Sequence, residues 1–268
     1  DEAITWSFLP PADAARFGGA AFNLANPISA DMAAMRPSLL PGLIAAAARN
    51  AARGAASVRL FEIGKRYLAD GERPTAALVL AGNRQNRDWR AGPAQKHDAY
   101  DAKAEALAAL AALGAPVERL SVAAPADPWW HPGRAGRLVL GKAVLADFGL
   151  IHPGVAAAME VKGPVAAVEI HLDALPPVGR KRGAYAPPAL QAVARDFAFI
   201  VDETLSADSL LRAAAGADKA LISGVQLFDR YAGPGVPDGK ISLAIEVTLQ
   251  PTTATLTDAE IEAVSAKV

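Results

Sequence analysis

The residues best placed to do chemistry lie between Val193 and Thr248. Ile241, Leu243, Ile245, Val247 and Leu249 alternate with Ser242, Ala244, Glu246 and Thr248, the pattern of a half-buried strand with two unlike faces. If the apolar set faces inward, Ser242 and its fellows face away. On the preceding strand Leu227 then faces in, and Gln226, Phe228 and Arg230 face out. With Phe197, Phe199 and Val201 inward, Asp196, Ala198 and Ile200 join the same outer surface. Phe228, Arg230 and Ser242 form its centre and Lys240 its rim. One aromatic among small polar side chains can stack an unpaired base and read its edge. A second arrangement buries Phe228 under the loop Ala232 to Gly239. Asp229 and Lys240 then read as a pair that closes the loop, and Arg195 and Asp196 as another local pair.

The remaining reactive side chains are sparse. Four histidines stand at 97, 131, 152 and 171, and cysteine is absent. Their spacing matches no metal-ligand pattern, so no metal site is expected, and disulfides and thiolate sites are excluded. His131 and His152 each precede proline and read as turn residues.

These groups are carried by recognisable elements. Ile4, Trp6 and Phe8 suggest an opening strand that Pro10-Pro11 stop, with a short helix over Asp13 to Phe17. Ser38 can cap a helix to about Ala52, with Pro41 tolerated in its first turn. This helix, with Met35 and Arg36, is expected to face its own core, with a partner surface as the alternative. Val58 to Tyr67 reads as a strand, Gly71 to Arg73 as a turn and Ala76 to Ala81 as a short buried strand. A helix over Ala102 to Leu113 has an apolar stripe of Leu107, Leu110 and Leu113, with Gly114 as its C-cap. His131 to Gly136 is expected to turn before a strand at Arg137 to Leu140. Strands follow at Val144 to Ile151 and Val165 to Leu172. Pro176 to Pro188, with four prolines and the basic triplet Arg180-Lys181-Arg182, is the natural linker. Beyond it come a strand at Val193 to Val201, a helix from Ser206 ended by Gly216, and strands at Leu221 to Tyr231 and from Lys240. Thr257 and Glu260 then form a capping box for a last helix.

Several segments in fixed order resemble one family. LFDRYAG, a loop, GKISLA and TLTDAEI resemble the anticodon-binding domain of the bacterial phenylalanyl-tRNA synthetase beta subunit. NPIS, MRPSLLPGL, RLFEIG, HPGRA and GLIHP extend the resemblance over the N-terminal half. The implied fold is α+β: a class II synthetase catalytic-like antiparallel sheet domain at 1–175, a linker at 176–188 and a ferredoxin-like domain at 189–268. The C-terminal order of strand, helix, strand, strand, helix stops short of the final strand that such a domain has. Asp1 in place of Met is read as the start of a fragment.

The resemblance implies roles as well. The whole enzyme would join phenylalanine to its tRNA using ATP and magnesium in the cytoplasm, with chemistry on an alpha subunit. This part would carry no cofactor and no catalysis. It would support the alpha subunit through an apolar patch and contact the anticodon of tRNA(Phe) through Asp196, Ala198, Phe228, Arg230, Lys240 and Ser242. Arg59-Leu60-Phe61-Glu62 replaces the Arg-x-Glu of the active subunits, and the extra residue sends the pair to opposite faces of a strand. The editing module of the family has no counterpart here. A free-standing amino-acid-sensing pseudo-synthetase, or an active ligase, are the competing readings.

Composition sets the outer bounds. The chain has 268 residues, 52% of them hydrophobic, with 27 basic and 28 acidic residues. That is ample for a core, the charge balance does not announce nucleic acid such as DNA, and the most apolar stretch, Leu39 to Ala48, is too short to span a bilayer. The abundance of alanine and arginine reads as genomic composition. From Pro187 onward six basic residues meet eleven acidic ones, a net −5. Phosphate neutralisation normally drives RNA affinity, so this part is expected to bind RNA weakly by itself.

Overall fold

The computed structural model describes residues 1–19, 21–177 and 187–268. The chain divides into two compact units, Asp1–Arg180 and Lys181–Val268. Most of the expected linker at 176–188, with its basic triplet, lies outside the described residues.

In the first unit the elements run β1 (Phe8–Leu9), α1 (Pro11–Arg16), β2 (Ala34–Met35), α2 (Leu40–Ala52), β3 (Ser57–Leu68), β4 (Gly71–Gln85), β5 (Gln95–Lys96), α3 (Ala99–Ala112), β6 (Ser121–Ala123), β7 (Trp130–Leu140), β8 (Ala143–Ile151), α4 (Pro153–Ala158) and β9 (Val165–His171). One antiparallel sheet takes the order β3-β4-β9-β8-β7-β6, with β5 beside β4. Helix α2 lies on one face. Its Leu40, Leu43, Ile44 and Ala47 pack on Val58, Ala77, Val79, Val165 and Ala167, and each large side chain so buried contributes about 1.5–3 kcal/mol. Helix α3 lies on the other face, where Ala102, Ala106 and Leu110 meet Leu80, Phe148, Ala166 and Val168. Strand β9 is therefore covered on both sides, and all seven of its residues are buried. Alanines on the helices and on β9 let both layers approach closely.

Several boundaries differ from expectation for physical reasons. The opening strand shrinks to Phe8–Leu9, because residues before it run beside Phe61 through Glu2 and Ala3. Ile4 and Trp6 stay exposed. Gly71 to Arg73 belong to β4 rather than to a turn, since the β3–β4 hairpin pairs Leu68 with Gly71 and turns at Ala69-Asp70. Likewise His131 to Gly136 are part of β7, which breaks register between Trp130 and Ala135 opposite Gly149. Gly149 has a φ of 132°, and a Cβ there would stand 2.3 Å from the Ala135 Cα. Helix α2 caps one residue late, at Leu39, and the Ser38 hydroxyl accepts from the Leu40 N–H at 3.0 Å. Helix α3 starts earlier than expected on a capping box of Asp98 and Asp101. Of the expected stripe Leu110 is buried and Leu113 is partly exposed, and Ala102 and Ala106 complete the buried side.

In the second unit β10 (Val193–Asp202), α5 (Ala207–Ala217), β11 (Ile222–Tyr231), β12 (Lys240–Leu249) and α6 (Asp258–Lys267) follow. The antiparallel sheet has the order β10-β12-β11. Both helices cover the same face, where Ile245, Val247 and Leu249 meet Ala214, Ile261, Val264, Phe197, Phe199 and Leu227. Ser206 caps α5 by accepting from the Ser209 N–H, and Thr257 and Glu260 form the capping box of α6. Helix α5 continues through Gly216 to Ala217 and ends at Asp218. Among the described residues no helix is long and apolar enough to cross a membrane.

Candidate nucleic-acid interface

The free face of the second unit's sheet is set by strand register. Asp196, Ala198, Ile200 and Asp202 of β10 stand opposite Glu246, Ala244, Ser242 and Lys240 of β12. Their apolar neighbours along each strand point to the helices, so these eight point away. On β11, Gln226 stands opposite Glu246, and the register then shifts between Leu227 and Asp229. Phe228 is the extra residue of that bulge. It is 54% exposed, which settles against its burial under the loop that follows.

The bulge changes which later side chains share the face. Asp229 comes opposite Ala244 and Tyr231 opposite Ser242, while Arg230 comes opposite Leu243, which is buried against the helices. Arg230 therefore does not join the centre of the outer face. Its guanidinium stands 3.7 Å from Glu203 instead. Strict alternation along Gln226, Phe228 and Arg230 missed this, and it also missed Tyr231, whose hydroxyl donates to the Pro234 carbonyl at 3.2 Å. Lys240 sits at the rim, but its ammonium pairs with Asp202 at 2.6 Å rather than with Asp229. Arg195 donates to the Ala194 carbonyl at 3.1 Å. Of the expected residues, Asp196, Ala198, Phe228 and Ser242 are brought together on one open surface. Ile200 and Tyr231 extend its apolar part. Asp196 facing Glu246 makes one end acidic.

On the face that α2 covers the first unit buries the charged side chains Arg36, Glu62, Asp147 and Glu169. Arg36 and Glu62 pair at 2.6 Å with side chains 6% and 4% exposed. Thr5 donates to the other Glu62 oxygen at 2.7 Å, and Arg36 Nε donates to the Lys65 carbonyl at 2.8 Å. Arg59 instead pairs with Glu105 of α3, on the opposite face. Arg59 and Glu62 thus cannot converge on one ligand. Beyond Arg36, a cavity of about 600 Å³ is lined by Phe17, Pro37, Arg66, Asp127, Trp129, Arg137, Asp147, Glu169 and His171 among others.

Within that cavity Arg137 Nε donates to Asp147 Oδ1 at 2.8 Å, and its terminal nitrogen to Asp127 at 3.2 Å. Arg66 donates to His171 Nδ1 at 2.8 Å, and His171 Nε2 stands 2.8 Å from Asp147 Oδ2. A guanidinium only donates, so Nδ1 accepts and the ring hydrogen sits on Nε2, facing the carboxylate. Burial works against the Asp147 charge, yet the bonds from His171 and Arg137 outweigh it and hold the carboxyl below its usual range. Asp127 goes the other way, pushed up by burial and by neighbouring Asp147. Glu169 is also pushed up by burial, although its Oε1 accepts from the Ser38 hydroxyl and the Leu39 N–H. His171 and His97 are buried, unlike the surface residues expected of isolated histidines. His131 and His152 each accept the N–H two residues on, a local turn role.

Comparisons with known proteins bear on both units. Residues 1–172 match the family model described as the phenylalanyl tRNA synthetase beta chain CLM domain. Residues 188–268 match the one described as the ferredoxin-fold anticodon binding domain. A phenylalanine–tRNA ligase beta subunit of Novosphingobium aromaticivorans is 55% identical, over all of this chain and 35% of its own length. Its counterpart in Zymomonas mobilis is 50% identical, over all of this chain and 34% of its length. The chain thus spans about a third of the length of the curated relatives it matches. Among solved structures, a pyrrolysyl tRNA synthetase of Desulfitobacterium hafniense aligns with a TM-score of 0.47 at 16% identity, over 65% of this chain and 58% of that one.

Proposed function

The chain belongs to the phenylalanyl-tRNA synthetase beta subunit family, and from that premise we propose that it is the part of a phenylalanine–tRNA ligase that contacts the anticodon of tRNA(Phe). The whole enzyme would attach phenylalanine to its tRNA with ATP and magnesium, in the cytoplasm and together with an alpha subunit. The division into a catalytic-like domain at 1–175, a linker at 176–188 and an anticodon-binding domain at 189–268 follows from the same reading.

The observation that carries the proposal is the uncovered sheet face with Phe228 exposed at its bulge. Stacking needs a ring that solvent can reach, and edge recognition needs small polar neighbours such as Ser242 and Asp196 beside it. The acidic end formed by Asp196 and Glu246 discourages phosphate there. Bases rather than backbone are thus the natural occupants of this face, and phosphate neutralisation falls to other parts of the enzyme.

The first unit fits a supporting role without catalysis. Arg59 and Glu62 are each engaged on opposite faces of the sheet, so they offer no joint clamp for phosphates. An apolar groove of about 440 Å³ lined by Phe61, Ile63, Leu78, Ala109, Leu113 and Ile170 supports a protein partner on the α3 side.

The test is aminoacylation by the full heteromeric enzyme with tRNA carrying a normal or an altered anticodon. Stacking one base on an aromatic is worth about 1–3 kcal/mol, so Phe228→Ala should lower kcat/KM for tRNA by roughly 5- to 150-fold with phenylalanine activation unchanged. Ser242→Arg should also impair charging by bulk, although it adds positive charge. If both variants discriminate between the two tRNAs as the parent does, this face does not read the anticodon.

A further inference from the structure

A cavity of about 330 Å³ opens where the irregular start of β7 meets the end of β8, helix α4 and the loop before β9. Its floor belongs to the core: Leu150, Ile151, Ala156 and Val161 are buried beneath it. Pro153, Ala157 and Pro164 form an exposed rim. The ionisable side chains of its lining are His131 and Arg134, and among the described residues no acid lines it. Residues three apart on a regular strand point to opposite faces. The break in register between Trp130 and Ala135 brings these two to one pocket. Both carry donors to spare. The Gly133 N–H donates to His131 Nδ1 at 3.1 Å, so the neutral ring holds its hydrogen on Nε2. That nitrogen has no partner among the described residues, and unlike those of His97 it is not shut away from solvent. Arg134 likewise has no ion pair or hydrogen bond among the described residues. It stands apart in this, since Arg59, Arg66, Arg73, Arg84 and Arg137 on strands of the same sheet all hold a partner. Glu160 and Lys162, on either side of Val161, offset one another in charge. Arg134 therefore sets the sign of the pocket.

We propose that this pocket binds a monocarboxylate with a short apolar chain and no charged group beside its carboxylate. The carboxylate takes the Arg134 guanidinium and the His131 Nε2–H, and the chain lies on Ile151, Ala156 and Val161. The volume suits a small ligand, and few polar groups meet a mostly apolar floor. An alcohol of the same chain lacks the charge that makes a guanidinium bond strong and bidentate. An amine sets like charge against Arg134. An amino acid does the same through its α-ammonium, because the lining offers that group no carboxylate. A very short anion forgoes the apolar floor. The ligand class therefore lies outside the charging reaction proposed for the whole enzyme, and the site is separate from the anticodon face of the second unit.

The experiment follows the assigned ¹H–¹⁵N signals of Gly133 and Gly163 as ligands are added to the 268-residue chain. Hexanoate is the probe. Acetate lacks the chain, hexanol lacks the charge, hexylamine reverses it, and 2-aminohexanoate adds an α-ammonium. Hexanoate should move both signals saturably, with a Kd of about 1 mM. Each comparison compound should bind about tenfold more weakly or worse. Arg134→Met keeps the stem and should weaken hexanoate binding by about tenfold. Ala157 is exposed on α4, so Ala157→Glu leaves the core untouched and sets a carboxylate at the rim. It should weaken hexanoate binding by about three- to tenfold. The proposal is overturned if hexanoate gives no saturable shift by about 20 mM, if any comparison compound binds as well, or if either variant binds like the parent.

Discussion

Replacing Arg36 by methionine should unfold the first unit far more readily than its single ion pair suggests. Arg36 donates to Glu62 at 2.6 Å, to Thr5 Oγ1 at 3.1 Å and to the Lys65 carbonyl at 2.8 Å. Methionine keeps the stem and removes every one of these hydrogen bonds, which come from Nε and Nη1. Glu62 then remains buried with the Thr5 hydroxyl still donating to it, and a buried charge that has lost its cation costs about 3–5 kcal/mol. Replacing both residues, Arg36→Met with Glu62→Leu, removes the stranded charge, so the double variant should recover about 2 kcal/mol or more relative to the additive sum. The assay is urea unfolding read by tryptophan fluorescence. Trp6, Trp89, Trp129 and Trp130 all lie in the first unit, so the signal reports that unit and not the second. The midpoint should fall with the slope unchanged. A loss below about 1 kcal/mol, as for an exposed pair, would refute the reasoning. So would a double variant no better than the sum of the single ones.

Acidification supplies another test. Burial holds the His97 imidazole below its ordinary value of 6.5, only partly offset by Asp101, whose Oδ2 lies 3.4 Å from Nδ1 without hydrogen-bond alignment. Below pH 6.5 the unfolded chain takes up a proton that the folded ring resists, so stability should fall as pH drops, by at most about 1.4 kcal/mol per pH unit from this group. His97→Leu should flatten the profile between pH 6.5 and the depressed folded value; an unchanged profile would show that His97 titrates normally. The purified chain alone should also show no phenylalanine-dependent ATP–pyrophosphate exchange. Exchange above a buffer control would return catalysis to this part of the molecule.

What the sequence disclosed depended on how local the cause was. The alternation of Ile241 to Leu249 and the Thr257–Glu260 box are written in neighbouring residues, and both appear as read. The bulge at Phe228 has no such mark. Counting every second residue from Gln226 puts Arg230 on the outer face, and only pairing with β12 reveals the extra residue that turns it away. The length of β4 was hidden for a similar reason: Gly71-Glu72-Arg73-Pro74 has turn chemistry, and the hairpin partner overrides it. The burial of His171 was not legible either, because Arg66, Arg137 and Asp147 come to it from distant points of the chain.

The two sheets differ in how freely their sequences can drift. In β9, Val165 to Ile170 touch the α2 side or the α3 side in turn, so an exchange of size on either side is felt at once. A strand of this kind changes by coordinated steps, in which an alanine grows only where a helix residue shrinks. The second unit's sheet has a side that no helix holds. Substitutions at Ala198, Phe228 or Ser242 leave the layer that meets α5 and α6 untouched. Fold and surface are therefore separable there, and the outer face can be rewritten residue by residue for a different partner while the strands beneath it keep the same pairing.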